Sequence, residues 1–346
     1  MSTPFDIPGG YRALLAPKDT EKAIRLIKEF FQTHLALELN LIRVTAPLFV
    51  EGGTGINDDL NGTEKPVSFP VRAMDGARAE IVQSLAKWKR LALADLGFAA
   101  GEGLYTDMNA IRPDEALDAT HSLYVDQWDW ERVMAAGERQ LDFLKAIVRR
   151  IYDVIRRTEK YVSYTYPAIK PFLPDAITFV HSEELAARYP DLPPRQREDL
   201  FCREHGAVFV IGIGGALAGG QAHDGRAPDY DDWSTPTGDG RQGLNGDILV
   251  HYPLFDRALE LSSMGIRVDA TALRRQLALS GQERRAELYF HRRLLAGGLP
   301  QTIGGGIGQS RLCMLYLRKA HVGEIQASLW PAAMREECGK KGVFLL

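Results

Sequence analysis

The sequence predicts an α+β domain with a mixed, mostly antiparallel β-sheet flanked by helices. Segments with the alternating or continuous apolar patterns of β-strands lie at 79–85, 122–130, 207–213, 246–252 and 259–269. They occur in clusters separated by long helical patterns, which argues against a doubly wound parallel sheet, where strands and helices alternate. The 346 residues contain no long linker, repeat or low-complexity tract. We therefore expect one domain over 1–346, with 1–18 as an irregular N-terminal extension.

The first helix and the strand after it are predicted from neighbouring segments. Apolar residues recur at helical spacing over 20–39, behind the candidate N-cap residues Asp19 and Thr20. The next run, LNLIRVTAPLFV, is rich in β-branched residues and contains Pro47, which cannot donate a hydrogen bond inside a sheet. We expect an edge strand here, and a contact with a second subunit that covers it.

Helical patterns account for much of the remaining chain. The clearest covers 137–160, where one face carries Leu141, Leu144, Ile147, Val148, Ile151 and Ile155. Other helices are predicted near 195–205, 270–280, 282–296 and 309–319. The uncharged stretch 206–222 is slightly short for a bilayer and rich in glycine, so we expect a buried strand followed by a loop.

Composition excludes several classes of function. The chain has 42 Lys and Arg against 45 Asp and Glu, so its charge favours neither nucleic acid nor a membrane surface. Cys202, Cys313 and Cys338 are far apart, and the N-terminal segment lacks the apolar core of a signal peptide, so we expect a reducing, cytoplasmic environment. The histidines show no ligand spacing typical of a transition-metal centre.

The segment QTIGGGIGQSRL (301–312) predicts a close approach to a flat or bulky ligand. Its spacing fits neither a Walker A loop, because Gly308 is followed by Gln-Ser-Arg, nor the dinucleotide fingerprint, because no glycine falls at the third required place. Glycine has no Cβ and Arg311 adds a fixed cation, a combination that suits a nucleotide. The alternative is a tight strand-to-helix turn with an exposed Arg311.

Carboxylates and arginines are interleaved in clusters at 53–62, 121–132, 226–236 and 247–267. A site for Mg²⁺-bound phosphate and a charged small substrate needs such groups, although each cluster alone also fits a solvated loop or strand face. Strand alternation places Gln127 and Asp129 on one face. Asp247 and Glu260, on neighbouring predicted strands, would share one Mg²⁺.

Three ordered motifs resemble those of the class II aminoacyl-tRNA synthetase catalytic fold: a helix and strand ending at Pro47, IRPDEALDATHSLYVDQWDWE, and GGGIGQSRL. In that fold the first motif builds a dimer, and arginines of the other two bind ATP. The segments NDDLNGTEKPVSF, QSLAKWKR, AGEGLYTDM, RAPDYDDWSTP and ELSSMGIRVD resemble more closely the ammonia-dependent asparagine synthetases (aspartate-ammonia ligases), a tRNA-free branch. The resemblance runs from about residue 19 to 335, and it assigns the glycine segment to the floor of the ATP site.

The resemblance also implies roles for individual residues. Around the substrate it places Asp58, Ser84, Lys89, Gln127, Asp129, Asp231 and Arg267. Around the nucleotide it places Arg112, Glu115, Arg226, Asp247, Glu260, Ser263, Gly306, Gly308 and Arg311, with Asp247 and Glu260 holding Mg²⁺. The second motif reads RPDE, one residue longer than the synthetase pattern, so either Asp114 or Glu115 would contact adenine. Asp59 stands beside Asp58, and either carboxylate would face the substrate.

The implied activity is ATP-dependent amidation of L-aspartate by free ammonia through β-aspartyl-AMP, with release of AMP and pyrophosphate. Asp58, Arg112 and Arg311 are its expected catalytic residues. Free ammonia is favoured over glutamine because no cysteine precedes Cys202 to serve as a thiol nucleophile near the N-terminus. The partners expected are small molecules and a second copy of the chain. The alternatives are a tRNA-related paralogue, a non-catalytic paralogue and an ADP-forming ligase.

Overall fold

An eight-stranded sheet forms the centre of this protein, for which a computed structural model describes residues 7–58, 60, 64–238 and 240–346. The strands are β1 (Leu41–Arg43), β2 (Phe49–Glu51), β3 (Ser68–Val71), β4 (Ala77–Ile81), β5 (Gly103–Ile111), β6 (Tyr124–Val133), β7 (Thr178–His181), β8 (Ala207–Ile211), β9 (Pro236–Gly238), β10 (Arg241–Gln242), β11 (Asn245–Tyr252), β12 (Arg257–Ile266) and β13 (Thr302–Gly308). The large sheet has the order β1-β5-β6-β13-β12-β11-β8-β7 and is parallel only where β1 meets β5 and β7 meets β8. The predicted mixed, mostly antiparallel sheet is confirmed.

Nine α-helices lie within the described ranges. They are α1 (Pro17–Leu39), α2 (Ala86–Asp95), α3 (Leu141–Thr165), α4 (Ser182–Arg188), α5 (Pro194–His205), α6 (Ala270–Leu279), α7 (Tyr289–Leu295), α8 (Gln309–Leu317) and α9 (Ala332–Lys340). Short 3₁₀ turns cover Arg72–Met74, Glu283–Glu287 and Val322–Glu324. In the part of the chain that the structure describes, no helix is long and apolar enough to span a membrane.

Several predicted boundaries are wrong for identifiable reasons. The strand predicted over 79–85 ends at Ile81, and the chain turns directly into α2. The helix predicted over 282–296 is a 3₁₀ turn followed by α7, because Leu288 between them has an extended backbone (φ −73°, ψ 157°). The sequence does not predict α2, β5, β7 or α4.

The start of α1 also differs from the prediction. The helix begins at Pro17, whose ring fixes a helical φ at the first position, and Ala16 is its N-cap without a side-chain hydrogen bond. Asp19 instead lies in the first turn, with its carboxylate 2.8 Å from the amine of Lys22. The predicted edge strand is confirmed in position, because β5 is its one partner among the described strands, but not in extent: β1 ends at Arg43, and Pro47 lies outside it, before β2.

The two faces of the large sheet have different roles. Alternation along β6 turns Trp128 and Trp130 toward the core under α1 and α3, where Phe31 lies 4.6 Å from Trp128 between ring centroids. The same alternation turns Gln127 and Asp129 to the opposite face, toward α2. Polar chemistry is thereby concentrated on one face of the central strands.

Candidate active site

The glycine segment 302–308 is a strand, not a loop. It pairs with β6 on one side and β12 on the other. A Cβ at Gly306 would lie 2.7 Å from Asp129 Oδ1 and closer still to the Gln127 amide, and a Cβ at Gly304 would collide with the Glu131 carboxylate. The glycines therefore let long polar side chains of β6 lie flat across β13. The groups that approach the glycines closely in this structure are the protein's own side chains, and the predicted contact with a nucleotide stays a prediction.

A buried ammonium is fixed on this face. Lys89 projects from α2, and its Nζ donates to the carbonyl oxygen of Gly305 (2.9 Å) and lies 3.3 Å from Asp129 Oδ1. Glu131 Oε2 is 4.0 Å away. Burial lowers the pKa of Lys89, and the two carboxylates oppose that shift. Asp129 Oδ2 is buried and has no hydrogen-bond partner among the described residues.

Arg267 binds two further carboxylates beside Lys89. Its guanidinium donates to Glu131 (2.8 to 3.1 Å) and to Asp231, and Thr302 Oγ1 donates to Glu131 (2.6 Å). Burial disfavours the charge of Arg267, but Glu131 and Asp231 outweigh burial and raise its pKa. Burial also raises the pKa of Asp231. Arg90, a third buried cation, also lies near Glu131, so Lys89, Arg90 and Arg267 face Asp129, Glu131 and Asp231.

Asp58 lies in a second buried cluster. Its Oδ1 accepts a hydrogen bond from the backbone N–H of Leu60 (3.1 Å), while Oδ2 has no partner among the described residues. Burial raises the pKa of Asp58, and the nearby Lys87 ammonium opposes this shift. Lys87 itself is bound to Asp229 (3.1 Å), which also contacts His291 (2.9 Å). Asp59, the alternative to Asp58, lies outside the described residues.

Three connected cavities open on this face. The central cavity, about 210 Å³, is lined by Arg112, Glu115, Gln127, Gly306, Gly308 and Arg311, among others. The loop cavity, about 290 Å³, shares Arg112, Glu115 and Gln127 with it and adds Gln83, Arg226 and Ser263. The helix cavity, about 430 Å³, shares His121, Glu260 and Arg311 with the central one and adds Arg195, Asp247 and Arg257. The predicted nucleotide residues therefore line one continuous space.

The two predicted phosphate-binding arginines reach the central cavity from different elements. Arg112 follows β5, and its guanidinium donates to the carbonyl oxygen of Gln83 (3.1 Å). Arg311 lies in the first turn of α8, donates to the Glu260 carbonyl oxygen (3.0 Å) and lies 3.7 Å from the Glu260 carboxylate. Glu115 lines both the central and the loop cavity, whereas Asp114 accepts a hydrogen bond from the Lys65 N–H (3.2 Å) at the rim of the loop cavity.

Asp247 and Glu260 lie on adjacent strands, β11 and β12, as predicted. Asp247 forms an ion pair with Arg226, and its Oδ1 is buried without a hydrogen-bond partner among the described residues. Ser263 is directly opposite Asp247 in the register of the two strands. Within the described ranges, no three His, Cys, Asp or Glu side chains converge as a complete protein-only metal site. Two carboxylates suit Mg²⁺, which usually retains water and binds substrate phosphates as well.

The sequence matches a known family over most of its length. The sequence model of the aspartate-ammonia ligase family covers residues 18–342. The chain belongs to this family. Proteins named aspartate-ammonia ligase from Parabacteroides distasonis and Bacteroides fragilis are each 60% identical to it over 339 residues, which cover 98% of both chains. One from Clostridium perfringens is 57% identical over 340 residues, again 98% of both chains. The family expected from the motifs is confirmed.

Solved structures show the same fold at low identity. An asparaginyl-tRNA synthetase from Pyrococcus horikoshii, complexed with asparaginyl-adenylate, superposes with a TM-score of 0.64 at 18% identity, covering 90% of this chain and 70% of the synthetase. The asparaginyl-tRNA synthetase of Entamoeba histolytica gives 0.64 at 13%, with 90% and 67% covered. The predicted class II synthetase fold is confirmed for this aspartate-ammonia ligase family member.

Sequence reasoning missed several residues of this site. Glu131 is two residues beyond Asp129 on the same strand face, so the alternation that found Asp129 also points to Glu131. Lys87, Gln83 and His291 lack such a signal, because only the tertiary fold brings them to Asp58 and Asp229. Ser84, a predicted substrate residue, accepts a hydrogen bond from the Ala86 N–H (3.1 Å) at the start of α2.

Proposed function

We propose that this protein makes L-asparagine from L-aspartate, free ammonia and ATP through β-aspartyl-AMP, releasing AMP and pyrophosphate. The observation that carries the proposal is the junction at Arg112, which lines both the central cavity and the loop cavity beside the buried carboxylate cluster. An amino-acid substrate and a nucleotide can therefore meet at one guanidinium. Family membership at 60% identity supports the same activity.

Activation of the substrate is required because a carboxylate is a poor acyl donor for ammonia. An oxygen of the β-carboxylate attacks the α-phosphorus of ATP, an O–P bond forms, and the bond to pyrophosphate breaks. Negative charge grows on the α-phosphoryl oxygens in this step, and fixed cations stabilise it. We assign this role to Arg112 and Arg311, which come from separate elements and need little reorganisation. Ammonia then attacks the acyl carbon, and AMP leaves.

The substrate pocket is proposed around Lys89 and Asp129. The α-ammonium of aspartate would bind Asp129 Oδ2, the buried oxygen without a donor. Lys89 has donors committed to Gly305 and Asp129, and we assign its remaining proton to a substrate carboxylate. Gln127, Asp231 and Ser84 are proposed neighbours of the substrate. Arg267 is fully engaged by Glu131 and Asp231, so we assign it to positioning them.

Mg²⁺ is proposed at Asp247 and Glu260, with Arg226 and Ser263 beside them. The buried, unpartnered Oδ1 of Asp247 supports this assignment. The ion would neutralise phosphate charge when bound. Glu115, which faces the central cavity, is the proposed adenine contact in preference to Asp114, and Gly306 and Gly308 form the proposed floor of the nucleotide site.

Asp58 is the proposed ammonium acceptor. Its unpartnered Oδ2 can bind NH₄⁺ and take one proton, which leaves neutral ammonia as the nucleophile. We expect Asp58→Asn to retain aspartate-dependent ATP–pyrophosphate exchange but to lower asparagine formation by about 100-fold. Hydroxylamine, which is mostly unprotonated at neutral pH, should restore product formation as the hydroxamate. Equal losses with both nucleophiles would contradict the role.

A homodimer in the cytoplasm is the proposed state of the protein. Cys202, Cys313 and Cys338 are free and buried, which supports a reducing compartment. Apolar side chains are exposed on and around β1, β2 and β3, where the class II resemblance expects a second subunit: Ile42, Leu48, Phe49, Phe69 and Met74.

The deciding experiment incubates the purified protein with aspartate, ATP, Mg²⁺ and ammonium and resolves all nucleotides and amino acids. We expect AMP, pyrophosphate and asparagine in equal amounts. ADP and phosphate would contradict the adenylate route, and aspartate binding without turnover would favour a non-catalytic role.

A further inference from the structure

The helix cavity is twice as large as the central cavity, and the reaction steps above leave most of it unused. It opens from the central cavity at Thr120, His121 and Arg311. Its outer wall combines the first turn of α5 with the start of β12, two elements outside the three motifs of the sequence. A space of about 430 Å³ contiguous with a phosphate site can hold a further part of the same ligand.

The carboxylates that line this cavity each contact a basic side chain of the protein. The pairs are Glu198 with His223 Nε2 (2.8 Å), Asp224 with Arg226 (3.2 Å), Asp247 with Arg226, and Glu260 with Arg311 (3.7 Å). Arg226 is shared by two carboxylates, and a histidine is charged only when protonated, so Arg226 and Arg311 balance part of this negative charge.

Arg195 and Arg257 line the same cavity without such partners. Neither guanidinium has a hydrogen bond or ion pair to any described residue, and Arg257 lies 4.7 Å from the centroid of the Phe255 ring. Burial lowers the pKa of Arg257, and the neighbouring guanidinium of Arg195 adds to this shift. Asp118 and Asp199 act on Arg257 from a distance and oppose this shift, but the N–H donors of both guanidinium groups form no hydrogen bond with a described residue. Two such groups in one concave site can together bind an anion that offers several oxygens.

The two arginines are held near each other by a fixed contact between their elements. Asp199 Oδ1 accepts a hydrogen bond from the backbone N–H of Ala258 (2.8 Å), which ties α5 to β12. Residue 195 lies one helical turn before Asp199 and therefore on the same face of α5. Arg257 is the neighbour of Ala258 in β12, so this contact holds the backbone positions of the two arginines close together.

We propose that the helix cavity binds a diphosphate through Arg195 and Arg257: first the β- and γ-phosphates of ATP, then the pyrophosphate set free. The inference rests on the proposed function. In the adenylation step the electron pair of the breaking P–O bond moves to the pyrophosphate oxygen, and the leaving group departs roughly in line with the attack. The attacking carboxylate enters by the loop cavity at Arg112, whereas the helix cavity opens at Arg311. Cations along that exit stabilise the leaving group as its charge develops.

The test measures binding of inorganic pyrophosphate and of AMP to the full-length protein by calorimetry in a buffer with MgCl₂. We expect Arg257→Gln and Arg195→Gln each to weaken pyrophosphate binding by about tenfold, the loss of one charged hydrogen bond. AMP binding should stay within about twofold, which also shows that the variants are folded. The matched control is Arg188→Gln, an exposed arginine in α4 that pairs with Glu204 outside the cavity. It should bind both ligands as the unaltered protein does.

Initial rates provide a second readout. Both glutamine variants should raise KM for ATP and leave KM for aspartate unchanged. If both variants bound pyrophosphate within twofold of the unaltered protein, the diphosphate site would be overturned. Production of AMP by the unaltered protein would still support the proposed function. Equal weakening of AMP and pyrophosphate would also overturn the diphosphate site, as would no binding of pyrophosphate to the unaltered protein. ADP as the product of the unaltered protein would overturn the proposed function and the diphosphate site together.

Discussion

Gly306 shows how the absence of a side chain organises the site. Its neighbour in the register of β6 is Asp129, and the space a Cβ would occupy is filled by polar atoms of Asp129 and Gln127. The amino-acid pocket therefore depends on a residue that contributes no functional group. Gly308, two residues on, has a φ of −63°, and a Cβ there would meet the Cβ of Arg311 at 3.3 Å but no polar group of β6.

The two glycines make a matched pair of variants. We expect Gly306→Ala to lower kcat/KM for aspartate by about 100-fold, because shifts near 1 Å in positioning groups have effects of that size. Gly308→Ala should lower it by less than about fivefold. Steady-state kinetics with aspartate as the varied substrate decides between them, and equal effects would contradict the role assigned to Gly306.

The sequence predicts those site residues that have a polar side chain and also lie in a recognisable strand pattern. Gln127 and Asp129 follow from strand alternation, and Asp247 and Glu260 follow from adjacent strand patterns. It does not predict Lys87 beside Asp58, because α2 buries Lys87, Lys89 and Arg90, and such a charged segment has no apolar stripe. The unpartnered oxygens of Asp58 and Asp129 depend on packing between distant segments, and local patterns carry no information about them.

At the scale of elements, α8 is held in place by Asp126. This residue alternates with Gln127 and so lies on the opposite face of β6, where Oδ1 accepts a hydrogen bond from the Ser310 N–H (3.0 Å). Oδ2 lies 3.2 Å from Lys28 Nζ. Ser310 precedes Arg311, so Asp126 fixes the start of the helix that carries the proposed phosphate contact.

Changing Asp126 should therefore affect ATP more than aspartate. We expect Asp126→Ala to raise KM for ATP by about tenfold, because a lost helix N-terminal acceptor loosens the first turn. KM for aspartate should change by less than about twofold. Asp126→Asn keeps an acceptor oxygen, so its KM for ATP should lie between those of the unaltered protein and Asp126→Ala. Parallel increases in both KM values would indicate general disruption.

A second element, the 3₁₀ turn Val322–Glu324, depends on a neutral histidine. His321 Nδ1 accepts a hydrogen bond from the Gly323 N–H (3.0 Å), and burial lowers the pKa of His321 to about 4 from its ordinary 6.5. Between these pH values the unfolded chain binds a proton that the folded chain does not. The stability due to this group is therefore present above pH 6.5 and is lost as pH falls toward 4.

Urea denaturation at pH 7 and pH 5 measures this loss. We expect His321 to account for about 2 kcal/mol of the decrease in unfolding free energy at pH 5. The glutamine of His321→Gln can accept the hydrogen bond of the turn but does not titrate. The decrease in unfolding free energy between pH 7 and pH 5 should therefore be smaller in this variant by about 2 kcal/mol. The same decrease in both proteins would show that His321 does not cause it.

At the scale of the whole molecule, a prominent exposed apolar surface lies at the edge of the sheet. Phe49 and Phe69 are 50% and 40% exposed, and their rings contact each other at 5.7 Å between centroids. Exposed apolar clusters of this kind mark interaction surfaces. The fold class, the edge strand and β4 are predicted from the sequence. The pairing of β4 with β2 and β3 into a small sheet is not, because β2 and β3 are short.

We expect the protein to have twice the chain mass of 38.5 kDa in light scattering after gel filtration. Phe49→Glu combined with Phe69→Glu should shift the mass toward one chain, since burying two carboxylates in an interface is unfavourable. Tyr164→Glu, at an exposed position of α3, is the control and should keep the larger mass. A monomeric unaltered protein would contradict the dimer.

The carboxylate oxygens of Asp58, Asp129 and Asp247 that have no hydrogen-bond partner among the described residues also affect which mutations a selection would favour. None of these oxygens has a hydrogen-bond donor among the described residues, so burying each carboxylate costs stability in the ligand-free fold. At Asp58, which forms no ion pair with a described residue, an amide replacement would raise the melting temperature and lower asparagine formation by about 100-fold. A laboratory selection for heat resistance alone would therefore drive this chain toward stable, inactive descendants.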